Sequence, residues 1–124
     1  EKDHVNALKS FRKSLKADGT LVIDYFNTQK IIQNLTHQET KTIDGIEFHL
    51  KKFVAEGKII KHINFEHKLK DFAFEERVQA FLLSDFERML TKSGLVITQT
   101  FGSYDLQPFN ETTSDRLILV CKKA

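Results

Sequence analysis

The hydrophobic period of this chain changes twice along its length, and that constrains its fold more than any single motif. Residues 1–35 carry a helical stripe followed by a short apolar run. Residues 36–82 alternate apolar with polar side chains, and residues 83–124 return to a helical stripe and apolar runs. A period near 3.6 marks an amphipathic helix, and a period of two marks a strand with one face covered. The pattern predicts one partial α/β domain over 1–124. A helix-strand unit (1–35) and a helix-strand-strand ending (83–124) are separated by an antiparallel β insertion (36–82).

In the first part, Val5, Leu8, Phe11 and Leu15 fall on one helical face, with Lys2, Lys9, Arg12, Lys13 and Lys16 largely on the other. Asp3 is expected to cap the start of this helix, and Gly19 to supply the left-handed residue after its end. Leu21-Val22-Ile23 is apolar on both faces, as in a strand covered by helices. Asp24 interrupts the run, and Tyr25, Phe26 and Asn27 close it. A helical turn is expected over 30–35.

In the insertion, Asp44-Gly45 between Ile43 and Ile46 is a two-residue hairpin signal. Ile46, Phe48 and Leu50 then alternate with Glu47, His49 and Lys51. Glu56-Gly57 marks a second turn and Lys70-Asp71 a third. Ile59, Ile63, Phe65 and Leu69 are expected on one face, and Phe72, Phe74, Val78 and Ala80 on one face of the next strand. These make an antiparallel meander of three or four strands.

In the ending, Ser84-x-x-Glu87 reads as a capping box that opens a helix carrying Phe86, Met89 and Leu90, and Gly94 stops it. Strands follow over 95–101 and 116–121. Between them lies a loop over 102–114 with the only proline, Pro108. A crossover helix between strands 20–26 and 95–101 implies that these two run parallel. The last strand follows without a helix and is expected to be antiparallel.

Composition excludes several classes. Hydrophobic content of 40 % with eleven Phe supports a core, and 29 % charge is ordinary for a globular chain. No apolar stretch approaches the roughly 20 residues of a membrane span. The single cysteine, Cys121, rules out an internal disulfide and suits a reducing compartment, so a cytoplasmic location is expected. A net charge of +2 with dispersed Lys residues argues against nucleic acid or membrane as partner. The five histidines are spaced without convergence, so no metal site is expected.

Three segments, in order, carry a family resemblance. Leu15-Lys16-Ala17-Asp18-Gly19-Thr20-Leu21-Val22-Ile23-Asp24 resembles the entry to the fifth strand of class I S-adenosylmethionine-dependent methyltransferases. Leu83-Ser84-Asp85-Phe86 with Ser93-Gly94-Leu95 resembles the entry to their sixth. Phe101-Gly102-Ser103-Tyr104-Asp105, followed by Ser114-Asp115-Arg116-Leu117-Ile118-Leu119-Val120, resembles their ending. Asp18, Ser103 and Asp115 depart from the family's usual residues, all at turns. The resemblance is nearest to bacterial small-molecule members with a β insertion. It implies the C-terminal portion of a Rossmann-like sheet. The family's Gly-rich loop, ribose-holding acid and adenine-flanking residues would then lie upstream of Glu1. The segment alone would be inactive, with S-adenosylmethionine bound mainly by the missing half.

Open α/β sheets bind ligands beyond the carboxyl ends of their strands. That places Asp24, Tyr25 and Asn27 at one strand end and Tyr104 after the other. Asp24 is assigned to the cofactor's amino-acid portion, and Tyr25, Asn27, Arg77 and Tyr104 to the acceptor. Each has a plainer reading: Asp24 pairs with a nearby base, Asn27 caps a turn, Tyr25 fills the core, and Arg77 pairs with Glu75 or Glu76. Arg77 earns its place because a guanidinium holds a carboxylate with two parallel bonds. Arg116 is expected to tie down the loop over 102–114, and no catalytic base is identifiable. The function expected is methyl transfer to a small molecule. The alternative is a non-catalytic α+β module that binds a small ligand. Without an upstream neighbour, strand 20–26 has an open edge, so self-association is expected through it or through exchange of the insertion.

Overall fold

The computed structural model describes residues 1–124. The chain divides into two compact units, one formed by residues 1–30 and 81–124, the other by residues 31–80.

The first unit is a three-stranded sheet with helices on one face. Helix α1 (Lys2–Ser14) leads to strand β1 (Leu21–Phe26). A short helix, α2 (Thr28–Gln33), crosses the boundary between the units. The remaining elements of the first unit are α3 (Leu83–Lys92), β6 (Leu95–Phe101) and β7 (Arg116–Lys123). The strand order is β1-β7-β6, and both pairings are antiparallel. No parallel pair forms. The expected parallel relation survives only as a common direction, because β1 and β6 each run opposite to the β7 strand between them.

Side chains alternate across a strand, so the register identifies the covered face. Leu117, Leu119 and Cys121 of β7 lie opposite Tyr25, Ile23 and Leu21 of β1. All six belong to or pack against a cluster with Val5 and Leu8 of α1 and with Phe86, Met89 and Leu90 of α3. Leu119 and Cys121 have no exposed surface. Each such aliphatic side chain contributes about 1.5–3 kcal/mol by leaving water. The opposite face keeps Val22 and Val96 about half exposed.

The helix ends differ in detail from the sequence reading. Glu1, not Asp3, sits at the cap of α1 and makes no side-chain capping bond, while Asp3 lies inside the first turn. Its charge there still favours the positive end of the helix dipole. The helix stops at Leu15 in extended geometry, and Gly19 is not left-handed. Gly19 is instead confined by proximity: an added Cβ would meet the Lys16 backbone at 3.1 Å. In α3 the cap is Leu82, whose N–H donates to Asp85 Oδ2 at 2.8 Å. The reciprocal bond is absent because a leucine side chain has no acceptor, and Ser84 and Glu87 are interior. Gly94 does end α3. Its φ is +76°, and an added Cβ would lie 2.8 Å from Arg12 Nε, which donates to the Gly94 carbonyl at 2.9 Å.

The second unit is a four-stranded antiparallel meander. It contains β2 (Gln38–Ile43), β3 (Ile46–Ala55), β4 (Lys58–His67) and β5 (Lys70–Gln79), in that order. Asp44-Gly45 and Glu56-Gly57 form the first two turns, each pair with positive φ. That is the backbone of a type I′ hairpin turn. The third turn is Lys68-Leu69, not Lys70-Asp71, and both of its residues have positive φ. Leu69 therefore does not join Ile59, Ile63 and Phe65 on a sheet face. It stands 94 % exposed at the turn.

Candidate functional site

In the first unit the polar groups gather where β1 ends and β7 begins. Asp24 lies opposite Ile118 and Phe26 opposite Arg116, so Asp24 and Arg116 are diagonal neighbours on one face. Asp24 Oδ1 accepts from Arg116 Nε at 3.0 Å and from Arg116 Nη2 at 2.9 Å. Its other oxygen, Oδ2, accepts from the Tyr104 hydroxyl at 2.8 Å. The Arg116 guanidinium lies 5.8 Å from the Tyr104 ring centre, within cation–π range. The hydrogen bond to Asp24 pushes the Tyr104 phenol above its usual range. Asp24 thus has the base partner that the plainer reading expected, and Arg116 is that base. The Arg116 backbone also holds the loop, donating to Gly102 O at 3.1 Å.

Asn27 follows directly and is buried. Nδ2 donates to the carbonyls of Glu111 and Ser114 at 2.8 Å each, with a longer contact to Asn110. Its backbone N–H donates to Asp115 O at 3.1 Å. Lys30 reaches the same loop through Thr113 O and the Asp115 carboxylate, which it holds below the ordinary carboxylate range. Gly102 has to be glycine here, since a Cβ would collide with Ser114 Oγ. The loop between β6 and β7 is therefore clipped to the end of β1 at several points.

Tyr25 points to the covered face. Its ring stacks on Phe26 at 4.3 Å and meets Phe86 edge-on at 5.2 Å, and burial raises its phenol pKa. Next to these residues is a cavity of about 190 Å³, lined among others by Gln29, Phe81, Glu87, Phe109 and Glu111. Its wall is fixed by Thr28, whose hydroxyl donates to Phe81 O at 2.6 Å.

Arg77 belongs to the second unit. Its Nε and Nη2 donate to the Glu75 carboxylate at 3.0 and 3.2 Å, and His62 Nε2 contacts the same carboxylate at 2.9 Å. Arg77, and then His62, hold Glu75 below its ordinary pKa. Of the two partners foreseen for Arg77, Glu75 is the one it takes. No group of three or more His, Cys, Asp or Glu converges on a point that suits a metal ion. Among the five assigned residues, Asp24 and Tyr104 touch each other, Asn27 anchors the adjoining loop, and Tyr25 faces the core. Arg116 and Thr28 were missed as site residues. The diagonal register of two strands would have shown Arg116, but that register is not readable from one sequence.

No helix is long and apolar enough to cross a membrane. No protein-family model matches the chain, and no curated protein matches it. Solved structures do. An S-adenosylmethionine-dependent methyltransferase from Clostridium acetobutylicum superposes with a TM-score of 0.78 at 18 % identity, over 97 % of this chain and 50 % of its own. The CcbJ methyltransferase from Streptomyces caelestis gives 0.77 at 14 % identity, over 97 % and 52 %. CalS10 from Micromonospora echinaspora, an amino pentose methyltransferase solved with S-adenosylmethionine bound, gives 0.58 at 10 % identity, over 97 % and 50 %. The chain thus has an α/β fold found in these methyltransferases and spans about half the length of each.

Proposed function

We propose that this chain is the C-terminal half of an S-adenosylmethionine-dependent methyltransferase acting on a small molecule, the main donor-binding motifs lying in the other half. The observation that carries the reading is the superposition of 97 % of the chain, sheet and insertion together, on half of such an enzyme. The order of the three sequence segments that resemble the family supports the C-terminal assignment.

The reaction breaks the bond between the donor's sulfonium sulfur and its methyl carbon and forms one from that carbon to the acceptor's lone pair. S-adenosylhomocysteine leaves, and the acceptor's proton passes to a base or to water. Such an in-line displacement depends chiefly on positioning. In this proposal Asp24, braced by Arg116 and Tyr104, presents its carboxylate at the strand end to the donor's amino-acid portion. Tyr104, Asn27 and Tyr25 shape the acceptor side, together with the cavity beside Phe81 and Phe109. Arg77 is a candidate acceptor contact from the β insertion. An amino sugar is the acceptor class to test first, because CalS10 acts on an amino pentose. The open edge of β1, or exchange of the insertion, is a candidate route of self-association, and a reducing, cytoplasmic setting is proposed.

The test is calorimetric titration of S-adenosylmethionine into the 124-residue chain and into a polypeptide that joins it to a donor-binding half. The joined protein is expected to bind the donor and methylate an amino sugar, and the chain alone to bind it weakly or not at all. Tight donor binding by the chain alone would refute the division of the site. No binding by either protein would refute the methyltransferase reading.

A further inference from the structure

The cavity beside Phe81 and Phe109 is lined by hydrogen-bond acceptors that the protein leaves unanswered. All of its lining residues belong to the first unit, and its volume is about 190 Å³. Asn27 forms part of its wall and is only 3 % exposed. The Asn27 Nδ2 is committed to the carbonyls of Glu111 and Ser114, which fixes the orientation of the amide, and Oδ1 receives no donor from the protein. An amide oxygen has two accepting lone pairs, so both remain for a ligand. Glu87 enters the lining from α3, and Glu111 from the loop between β6 and β7. The bases nearest to them in the fold are spent elsewhere: Arg88 on Glu1 and Asp85, and Lys30 on Asp115. No Lys, Arg or His lines the cavity. The positive end of α3 does not offer itself to an anion either, because the Asp85 carboxylate already accepts from Leu82 N–H there at 2.8 Å. The remaining wall is apolar, with Phe81, Phe109 and Leu117.

We infer that this cavity binds a small organic ammonium ion, its N–H groups on Asn27 Oδ1, Glu87 and Glu111 and its carbon skeleton against Phe81, Phe109 and Leu117. Charge selects a cation, since two carboxylates face the space and no base answers them. Donor count selects an ammonium over a hydroxyl. A primary ammonium carries three donors and no acceptor, whereas a hydroxyl brings one donor and two lone pairs of its own. Hydrogen bonds from N⁺–H to a carboxylate are also roughly twice as strong as neutral ones. A bare metal ion does not fit, because no three His, Cys, Asp or Glu converge and much of the wall is apolar. The volume equals about six waters at about 30 Å³ each, room for a single carbon ring with its amine. The frame is already in place. Asn27 clips the loop that carries Glu111, and Thr28 fixes Phe81, so a ligand has little to order on binding. Because the cavity belongs to the acceptor side proposed above, the inference rests on that reading where it makes nitrogen the methyl-accepting atom. The binding of the cation itself does not.

The test is a heteronuclear NMR titration of the 124-residue chain with cyclohexylamine, an ammonium ion at neutral pH, and with cyclohexanol, its neutral counterpart of the same shape. The amine is expected to bind in the millimolar range and to shift the side-chain amides of Asn27 and Gln29, both in the cavity wall. The alcohol should bind at least about tenfold more weakly. Glu87 and Glu111 are exposed, so their Gln variants keep the fold and each charge is partly screened by water. Glu87→Gln and Glu111→Gln should therefore each weaken the amine by about threefold, and together they should bring amine and alcohol level. Asp71→Asn, an exposed acid of the second unit, should change neither. Equal binding of amine and alcohol to the unaltered chain would overturn the inference. So would an amine affinity that the double variant leaves unmoved, or shifts confined to residues outside the cavity. The titration needs no methyl donor, so a failure of the methyltransferase reading would reproduce none of these results.

Discussion

The two sheets of this protein use similar residues to different ends. The three-stranded sheet has one face sealed by α1 and α3, with Leu117, Leu119 and Cys121 at 2 % exposure or less. The four-stranded sheet is longer and richer in phenylalanine, yet among its strand residues only Leu50 and Ile60 fall below a tenth exposed. Strand content alone does not make a core. A sheet needs a second layer to bury its apolar face. The first unit contains that layer, and the second leaves most of its strand residues half-buried or exposed.

The contrast can be broken by mutation. The largest effect is expected at Leu119→Ala, which removes a side chain with no exposed surface and should cost about 3 kcal/mol in denaturant unfolding. Phe74→Ala, measured at concentrations too low for association, should cost well under half as much because over half of its surface is already in water. Equal costs would erase the distinction between the sheets.

Next comes Asn27→Ala. It removes two short hydrogen bonds to part-buried carbonyls and should cost about 2 kcal/mol. A cost near zero would show that water replaces the amide and that the loop is not clipped as described. Smaller is the repair of the Lys68-Leu69 turn in the second sheet. Both residues have positive φ, so Lys68→Asn with Leu69→Gly should stabilise the chain by about 1 kcal/mol. A loss of stability would mean that Leu69 has a partner in solution.

The smallest effects are electrostatic. Asp24→Asn removes the carboxylate that holds the Tyr104 proton, so ultraviolet titration should show one of the two tyrosines moving down toward its ordinary pKa. At the other end of the unit, hydrogen bonds from Arg88 and Lys92 lower Glu1 from 4.5 to about 2. A depressed carboxylate stabilises the fold above its unfolded pKa, and that contribution is lost as pH falls. The loss should therefore run from about pH 4.5 down to about pH 2 and be absent in Glu1→Gln. Being surface pairs, these contacts contribute little.

Legibility in the sequence followed the range of the interaction concerned. The period change marked helix, strand and meander, because side-chain alternation is local. Asp44-Gly45 and Glu56-Gly57 were readable because a type I′ turn prefers such pairs. Lys68-Leu69 was not, because neither residue favours positive φ and neighbouring strands impose the turn. The Asp85 cap was hidden by the more familiar Ser84-x-x-Glu87 spacing two residues further on. Asp24 and Tyr104 were picked from strand ends, but their shared partner Arg116 depends on how β7 aligns with β1. Asn27 was legible as a polar residue at a strand end. Its use on three loop carbonyls was not, since a long loop has no period.

Cys121 lies on the middle strand of the helix-backed sheet, fully enclosed, and its thiol pKa is pushed up to about 11 by burial. It is also the only thiol in the chain. The thiolate is the nucleophile that attacks an alkylating reagent, so a folded molecule offers neither access nor a reactive sulfur. Labelling can then proceed only through openings that expose β7. The chain therefore carries its own clock for the breathing of that sheet, read by mass after a timed pulse of alkylating agent and needing no engineered probe.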